Sequence, residues 1–266
     1  MAANRLNNRL VKSVDEIKKI ENSCRIVADT LSMVKKYMVD GASLKEIDAI
    51  AEDHIRSKGA VPAFKGYEID GLFFPNSLCT SINEEVVHGI PGDRILKEGD
   101  IVSIDCGAEL DGYYGDSAVT YGVGKISDEI ADLLKATEES LMLGISQALD
   151  KNKVYDISRA IQEYVEGKGY SLTRELVGHG IGKNLHEEPA IPNFVPPLLH
   201  RSRFPNMKLA SGMTMAIEPM VHLGEKEVYT ANDGWTIITA DGSPAAHFEH
   251  TVVVDSEKPI ILTLRD

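Results

Sequence analysis

The feature that most restricts how this chain can fold is the Asp111-Gly112 pair inside the segment IVSIDCGAELDGYYGDSAVTY, residues 101–121. Asp-Gly between two alternating, β-prone runs is a strong two-residue hairpin signal, because both residues accept the positive φ that matches the strand twist. A turn at 111–112 makes opposed residues sum to 223, so Leu110 faces Tyr113, Gly107 faces Asp116 and Asp105 faces Ala118. A slip of one residue would invert both faces. In this register Val102, Ile104, Cys106 and Ala108 point to the core, which sets Cys106 aside as a ligand although it adjoins Asp105. Asp105 and Asp116 share the other face as diagonal neighbours, with Cα atoms about 7–8 Å apart. Small groups around them (Ser103, Gly107, Ala118, Thr120) leave room above the sheet. Taken alone, the hairpin reads first as a half-exposed sheet whose solvated face carries two aspartates.

The remainder reads as one unit used twice. Ile17, Ile20, Cys24, Val27, Leu31, Val34 and Met38 step by three and four, which is the stripe of an amphipathic helix. Ser13 with Glu16 forms a capping-box pattern at its start, and Asp40-Gly41 ends it. Ser43 can cap a second helix through Leu44, Ile47, Ala51 and Ile55 to Lys58-Gly59. Later, Asp128-Glu129-Ile130 opens a helix to about Leu149, and a shorter one carries Ile157, Ile161, Tyr164 and Val165 to Lys168-Gly169. At an offset of 110, Ile47/Ile157, Asp53/Glu163, Ile55/Val165, Lys58/Lys168 and Gly59/Gly169 match. The expectation is a single catalytic domain over 13–266, built from helix–helix–strand halves at about 13–125 and 126–266, behind an N-terminal extension 1–12. The segment 189–210, with five prolines and no acid, is expected to be a surface loop.

Composition removes several function classes. Hydrophobic content of 43% and charged content of 26% are those of a soluble globular protein, and no apolar run approaches a membrane span. A net charge of −13 argues against nucleic acid as the main partner, with no sequence-specific recognition expected. Three cysteines without a CxxC argue against a disulfide framework or thiolate zinc site, and for a reducing compartment. The basic start MAANRLNNRLVK has no apolar stretch of signal length, so the expected location is cytoplasmic.

The C-terminal half turns the two aspartates into a candidate site. In MTMAIEP, alternation places Thr214, Ala216 and Glu218 on one face, and in HFEHTVVV it places His247, Glu249 and Thr251 together. Four carboxylates gathered at one place repel unless cations compensate them. His179, in the glycine-rich GHGIGKNLHEEP, adds one imidazole, with Gly178, Gly180 and Gly182 allowing close backbone approach. One imidazole with four carboxylates favours two hard to borderline divalent ions, manganese, iron or cobalt, with zinc also compatible.

These residues, in this order, resemble the type I methionine aminopeptidases, an α+β pita-bread (creatinase/aminopeptidase-like) family. The motifs are SINEEVVHGIPG, GDIVSIDCGA, DGYYGDSA, GHGIGKNLHEEP, MTMAIEPM, DGWT and FEHTVVV, spread from Ser13 to Asp266. The resemblance implies five metal ligands, Asp105, Asp116, His179, Glu218 and Glu249, with Asp116 and Glu249 bridging. It implies that Glu218 shuttles the water's proton, that His186 polarises the scissile carbonyl, and that His88 contacts the scissile amide nitrogen. From the residues alone, His88 is as readily a loop histidine satisfied locally. The methionine pocket would comprise Phe64, Tyr67, Phe74, Cys79, Leu185 and Trp235, with His88 a further substrate-binding residue. Leu185 stands where an aromatic is usual, His247 where glutamine is usual, and the stretches Lys65–Leu72 and 189–210 are longer than usual.

The expected function is removal of the initiator methionine from nascent proteins with a small second residue, by a monomer. The chain's own Met1-Ala2 fits that rule. Alternatives are an X-Pro aminopeptidase or prolidase-like exopeptidase, which are usually longer, and a catalytically inactive binding module of the same fold. A dinuclear phosphoesterase is disfavoured because no basic residue flanks the acids. The basic residues Arg201, Arg203 and Lys208 are a candidate ribosome contact.

Overall fold

Ser13 starts the first helix as its sequence requires. In the computed structural model, which describes residues 9–265, helix α1 (Val14–Val34) is preceded by Ser13 at φ −68°, ψ 163°. The Glu16 amide donates to Ser13 Oγ at 3.3 Å and the Ser13 amide donates to Glu16 Oε2 at 2.9 Å, two orphan donors satisfied reciprocally. Ile20, Cys24, Val27, Leu31 and Val34 form its buried stripe. The stripe was expected to run helically to Asp40-Gly41, yet α1 ends at Val34 and tightens into a 3₁₀ turn, Lys35–Tyr37. Met38 stays buried, so the periodic signal outlasts the α-helix. Residues 1–8 and 266 lie outside the described residues, and with them most of the segment read as an extension and the Met1-Ala2 start.

The next helices, α2 (Leu44–Ser57), α3 (Asp128–Ile145) and α4 (Val154–Gly167), follow the expected punctuation. Ser43 stands at the N-cap of α2 without a side-chain capping bond, so its backbone alone begins that helix. Helix α3 stops at Ile145, a turn short of Leu149. Helices α2 and α4 have 14 residues each and begin 110 residues apart. Left-handed residues stand before them at Gly41 (φ 84°) and Lys151 (φ 75°), and after them at Gly59 (φ 79°) and Gly169 (φ 84°), again at that spacing. Only glycine adopts this region without strain, so Lys151 occupies a glycine's position in the second unit.

The principal strands are β1 (Leu78–Ile82), β2 (Ile101–Leu110), β3 (Tyr113–Gly122), β4 (Gly178–Gly180), β5 (Glu187–Ile191), β6 (Thr214–Ile217) and β7 (His250–Val253). In the first half β2 pairs with β1 and β3, and the β2–β3 hairpin has the expected register, Gly107 opposite Asp116 and Asp105 opposite Ala118. Asp111 (φ 54°) and Gly112 (φ 78°) make the turn. Val102, Ile104, Cys106 and Ala108 are fully buried in the main core, against α1. A Cβ on Gly115 would lie 2.5 Å from the Cys24 backbone nitrogen, which shows how closely α1 crosses the hairpin. In the second half the order is β5-β4-β6-β7, all antiparallel.

The two halves meet along the free edge of β3. Thr251 Oγ1 donates to Asp116 O at 2.7 Å, the Glu249 amide to Ala118 O at 3.0 Å, and Thr120 Oγ1 to His247 O at 2.9 Å. The segment 247–251 thus runs antiparallel to β3 in a fixed register. Asp116 of one half is thereby held beside Glu249 of the other.

The segment 189–210 is less of a surface loop than its prolines suggest. Its start belongs to β5, an edge strand where proline is tolerated, and Ile191, Phe194, Phe204 and Leu209 are buried. Arg201 donates to Pro196 O at 3.3 Å, and the Arg203 guanidinium lies 5.1 Å from the centre of the Phe204 ring. Among the described residues no helix is long and apolar enough to cross a membrane. Cys24, Cys79 and Cys106 are buried free thiols.

Candidate metal centre

Each acid arrives by strand geometry. Asp105 and Asp116 project from the face of β2–β3 opposite the core. On the other side of the seam, β6 pairs Ala216 with Thr251 and with His179, and Ile217 with His250. One step further along that register, Glu218 lies opposite Glu249. Close strand approach is built into the glycines: a Cβ on Gly180 would meet Glu188 O at 2.1 Å. The room expected above Gly107 is partly filled, since a Cβ there would lie 2.8 Å from the Phe64 ring.

All thirteen residues nominated from the sequence line one cavity of about 290 Å³. Donor atoms of Asp116, His179 and Glu249 lie within 4.8 Å of one another. Glu218 flanks them, with Oε1 at 3.6 Å from His179 Nε2, and His179 Nε2 is 4.0 Å from Asp116 Oδ2. His179 Nδ1 donates to Gly180 O at 2.9 Å, which leaves Nε2 bare toward the acids, the arrangement a metal-binding imidazole needs.

The electrostatics are those of a site made for cations. Burial raises Asp105 to about 7 and Glu218 to about 8, and it raises Asp116 and Glu249, crowded by the other acids, well above the usual carboxylate range. Burial, reinforced by His186, lowers His179 to about 3. Asp105 Oδ1, Asp116 Oδ1 and Glu249 Oε1 are buried without a hydrogen-bond partner. Unpaired buried carboxylate oxygens are costly, and divalent ions are the ligands that satisfy several at once. The residues present therefore fit the metals implied.

His88 carries a left-handed backbone (φ 59°), a strained state for a non-glycine residue. The next residue, Gly89, lies tight against β1, where a Cβ would meet Thr80 O at 2.2 Å. Burial in the cavity wall, with help from His247 and His186, lowers His88 to about 4, so its ring is neutral. His186 stands at the exposed mouth of the cavity, with its ring edge against His179 at 4.3 Å between centroids. The apolar end holds Phe64, Phe74, Cys79, Leu185 and Trp235 in one buried cluster, with Phe74 edge-on to Trp235 at 5.3 Å and Tyr67 packed against it. Leu185 is buried within this cluster, so the aliphatic side chain closes the slot that an aromatic would otherwise fill.

Sequence reasoning missed part of the wall. Ile69, Val87, Leu176, Val177 and Met220 also line the cavity. Met220 follows Glu218 by two residues and shares its parity, a signal that was available. Ile69 belongs to a small hairpin, Glu68–Ile69 with Leu72–Phe73, turned by Asp70-Gly71. His247, the departure at the glutamine position, is buried with neither ring nitrogen partnered, and Nε2 is 3.6 Å from Glu218 Oε2. Burial lowers its pKa against the pull of Asp105, which keeps it neutral.

The model of metallopeptidase family M24 matches residues 18–256. A methionine aminopeptidase of Clostridium acetobutylicum is 48% identical, covering 96% of this chain and 98% of its own length. Methionine aminopeptidase 1 of Bacillus subtilis is 49% identical over 96% and 98%. The crystal structure of a Thermotoga maritima methionine aminopeptidase superimposes with a TM-score of 0.89 at 40% identity, covering 96% of this chain and 99% of that one. An X-Pro aminopeptidase of the same organism reaches 0.76 at 23% identity, and its match covers 99% of this chain but 64% of its own, a likeness of fold alone.

Proposed function

This chain belongs to metallopeptidase family M24, among its methionine aminopeptidases with their α+β pita-bread fold, and on that premise we propose how its residues divide the work. The reaction is hydrolytic removal of the initiator methionine from nascent chains. The second residue of those chains is small.

Asp105, Asp116, His179, Glu218 and Glu249 would hold two divalent ions. Manganese, cobalt or iron suits this donor set better than thiolate-preferring metals. When bound, the ions supply a Lewis acid for the carbonyl and lower the pKa of a water. Glu218 accepts a proton from the attacking water and returns it to the leaving amine. His186 donates to the carbonyl oxygen as it gains charge. His88, neutral, accepts from the scissile N–H. Phe64, Tyr67, Phe74, Cys79, Leu185 and Trp235 surround the methionine side chain, an unbranched thioether that suits aromatic walls and a soft sulfur.

The observation that carries this reading is the set of three partnerless buried carboxylate oxygens beside the bare His179 nitrogen and an aromatic slot. The test is incubation of metal-reconstituted protein with Met-Ala-Ser, Met-Lys-Ser, Ala-Pro-Ser and a phosphate monoester, followed by mass spectrometry. Cleavage confined to Met-Ala-Ser is expected. Turnover only at the proline bond or the phosphate overturns the reading.

A further inference from the structure

We propose that Tyr67, beyond walling the methionine slot, is a positioning residue for His186, its hydroxyl donating to Nδ1 and so keeping the ring's single proton on Nε2, free for the substrate. The Tyr67 oxygen lies 2.7 Å from His186 Nδ1, and the two rings meet edge-on at 5.3 Å. A neutral imidazole has one N–H and one bare nitrogen, so the partner of one nitrogen decides the role of the other. The neighbouring pair shows the contrast. His179 gives its Nδ1 proton to Gly180 O and presents a bare Nε2, as a ligand must. His186 needs the opposite form, because a bare Nε2 cannot donate to a carbonyl oxygen. A hydroxyl can supply that form where a backbone carbonyl cannot, since a carbonyl only accepts.

The structure holds both partners from opposite sides. The Tyr67 amide donates to Phe64 O at 2.8 Å, and its carbonyl accepts from the Phe74 amide at 2.9 Å, at the root of the Asp70-Gly71 hairpin. On the facing loop, Lys12 Nζ pairs with Glu187 at 2.7 Å, and the Asn184 amide donates to Glu187 Oε1 at 3.1 Å, so the residue next to His186 is pinned. The hydrogen bond joins two segments 119 residues apart and adds to the His179 contact a second restraint on the ring. Burial also raises the pKa of the Tyr67 hydroxyl, which keeps its proton available.

This inference rests on the role given to His186, and the experiment separates the two. Protein labelled with ¹⁵N-histidine and loaded with diamagnetic zinc is compared with Tyr67→Phe by long-range ¹H–¹⁵N spectra, the His186 signals being assigned with His186→Gln. Wild type is expected to carry the His186 proton on Nε2, with Nδ1 shifted as a hydrogen-bond acceptor. In Tyr67→Phe that Nδ1 signal moves to the position of an unbonded ring nitrogen. With Met-Ala-Ser, the manganese-loaded variant loses kcat by about three- to tenfold through loss of orientation, while KM changes less than about twofold because the aromatic wall remains. Tyr67→Leu raises KM as well. A wild-type proton on Nδ1, an unmoved Nδ1 signal in Tyr67→Phe, or an unchanged kcat overturns the inference. Failure of wild type to cleave Met-Ala-Ser, with the spectra as expected, overturns the proposed reaction and leaves the hydrogen bond standing.

Discussion

Removing metal should make this protein's stability fall as pH rises through neutrality, against the usual direction for a carboxylate-rich chain. Asp105 and Glu218 are raised from 3.8 and 4.5 to about 7 and about 8, and Asp116 and Glu249 are likewise raised well above the usual carboxylate range. In the unfolded chain these acids are ionised above pH of about 4.5. Between pH 6.5 and 8 the folded, metal-free state therefore binds more protons than the unfolded state, and stability declines with pH. The buried histidines act the other way. Their folded pKa values lie below 6.5, so their contribution rises with pH until the unfolded imidazoles are deprotonated, about one unit above 6.5. Each returns about 0.4 kcal/mol between pH 6.5 and 8, which the four acids together outweigh. The thiols, raised by burial, act only above about pH 8.5. At about 1.4 kcal/mol per proton per pH unit, Asp105 and Glu218 alone remove about 2 kcal/mol from pH 6.5 to 8, and the other two acids add to it. Urea denaturation of chelator-treated protein at half-unit pH steps measures this directly, through a falling midpoint at constant slope. Manganese-loaded protein should lose that pH dependence, and its calorimetric titration should release more than one proton per protein at pH 7. A metal-free midpoint that is flat or rising over this range refutes the reasoning.

Gly180→Ala drives a methyl group into the Glu188 carbonyl and should cost about 2 kcal/mol in denaturation, with weaker metal binding because His179 is adjacent. Lys151→Gly relieves a left-handed backbone and should stabilise by about 0.5–1 kcal/mol, while Gly41→Ala at the equivalent place should destabilise by a similar amount. A thermal melt of both variants checks the pair, and equal signs would contradict the equivalence. Asp116→Asn should lose metal by elemental analysis, whereas His186→Ala should keep metal and lose about 10²–10⁴ in rate. Full activity in His186→Ala removes its assigned role.

Much of the site was legible because strands alternate with a period of two. Once Asp111-Gly112 set the register, Asp105 and Asp116 had to share the face away from Val102 and Ile104, and the same parity placed Glu218 and Glu249. Helix α1 was legible for a similar reason, its stripe and cap agreeing on one phase. The same Asp-Gly signal at Asp70-Gly71 went unread because the flanking runs are only two residues long, too short for alternation to register. Strand β5 was hidden by Pro189 and Pro192, since a proline signals a loop unless the strand is known to lie at an edge. The contact of Tyr67 with His186 could not be read, because it depends on two loops meeting in space.

The seam along β3 sets an order of events in the life of each molecule. Asp105 and Asp116 are made first, and Glu249 more than 130 residues later. Until the 247–251 segment has emerged and docked on β3, the first two acids lack Glu249 and the seam that holds the second half beside them. An enzyme that acts on chains still being made thus becomes competent only after its own second half has been made and docked, and its metal content is a record of that docking. Copies stalled or cut before Glu249 should bind metal more weakly and lack activity, which spares the cell a half-built peptidase.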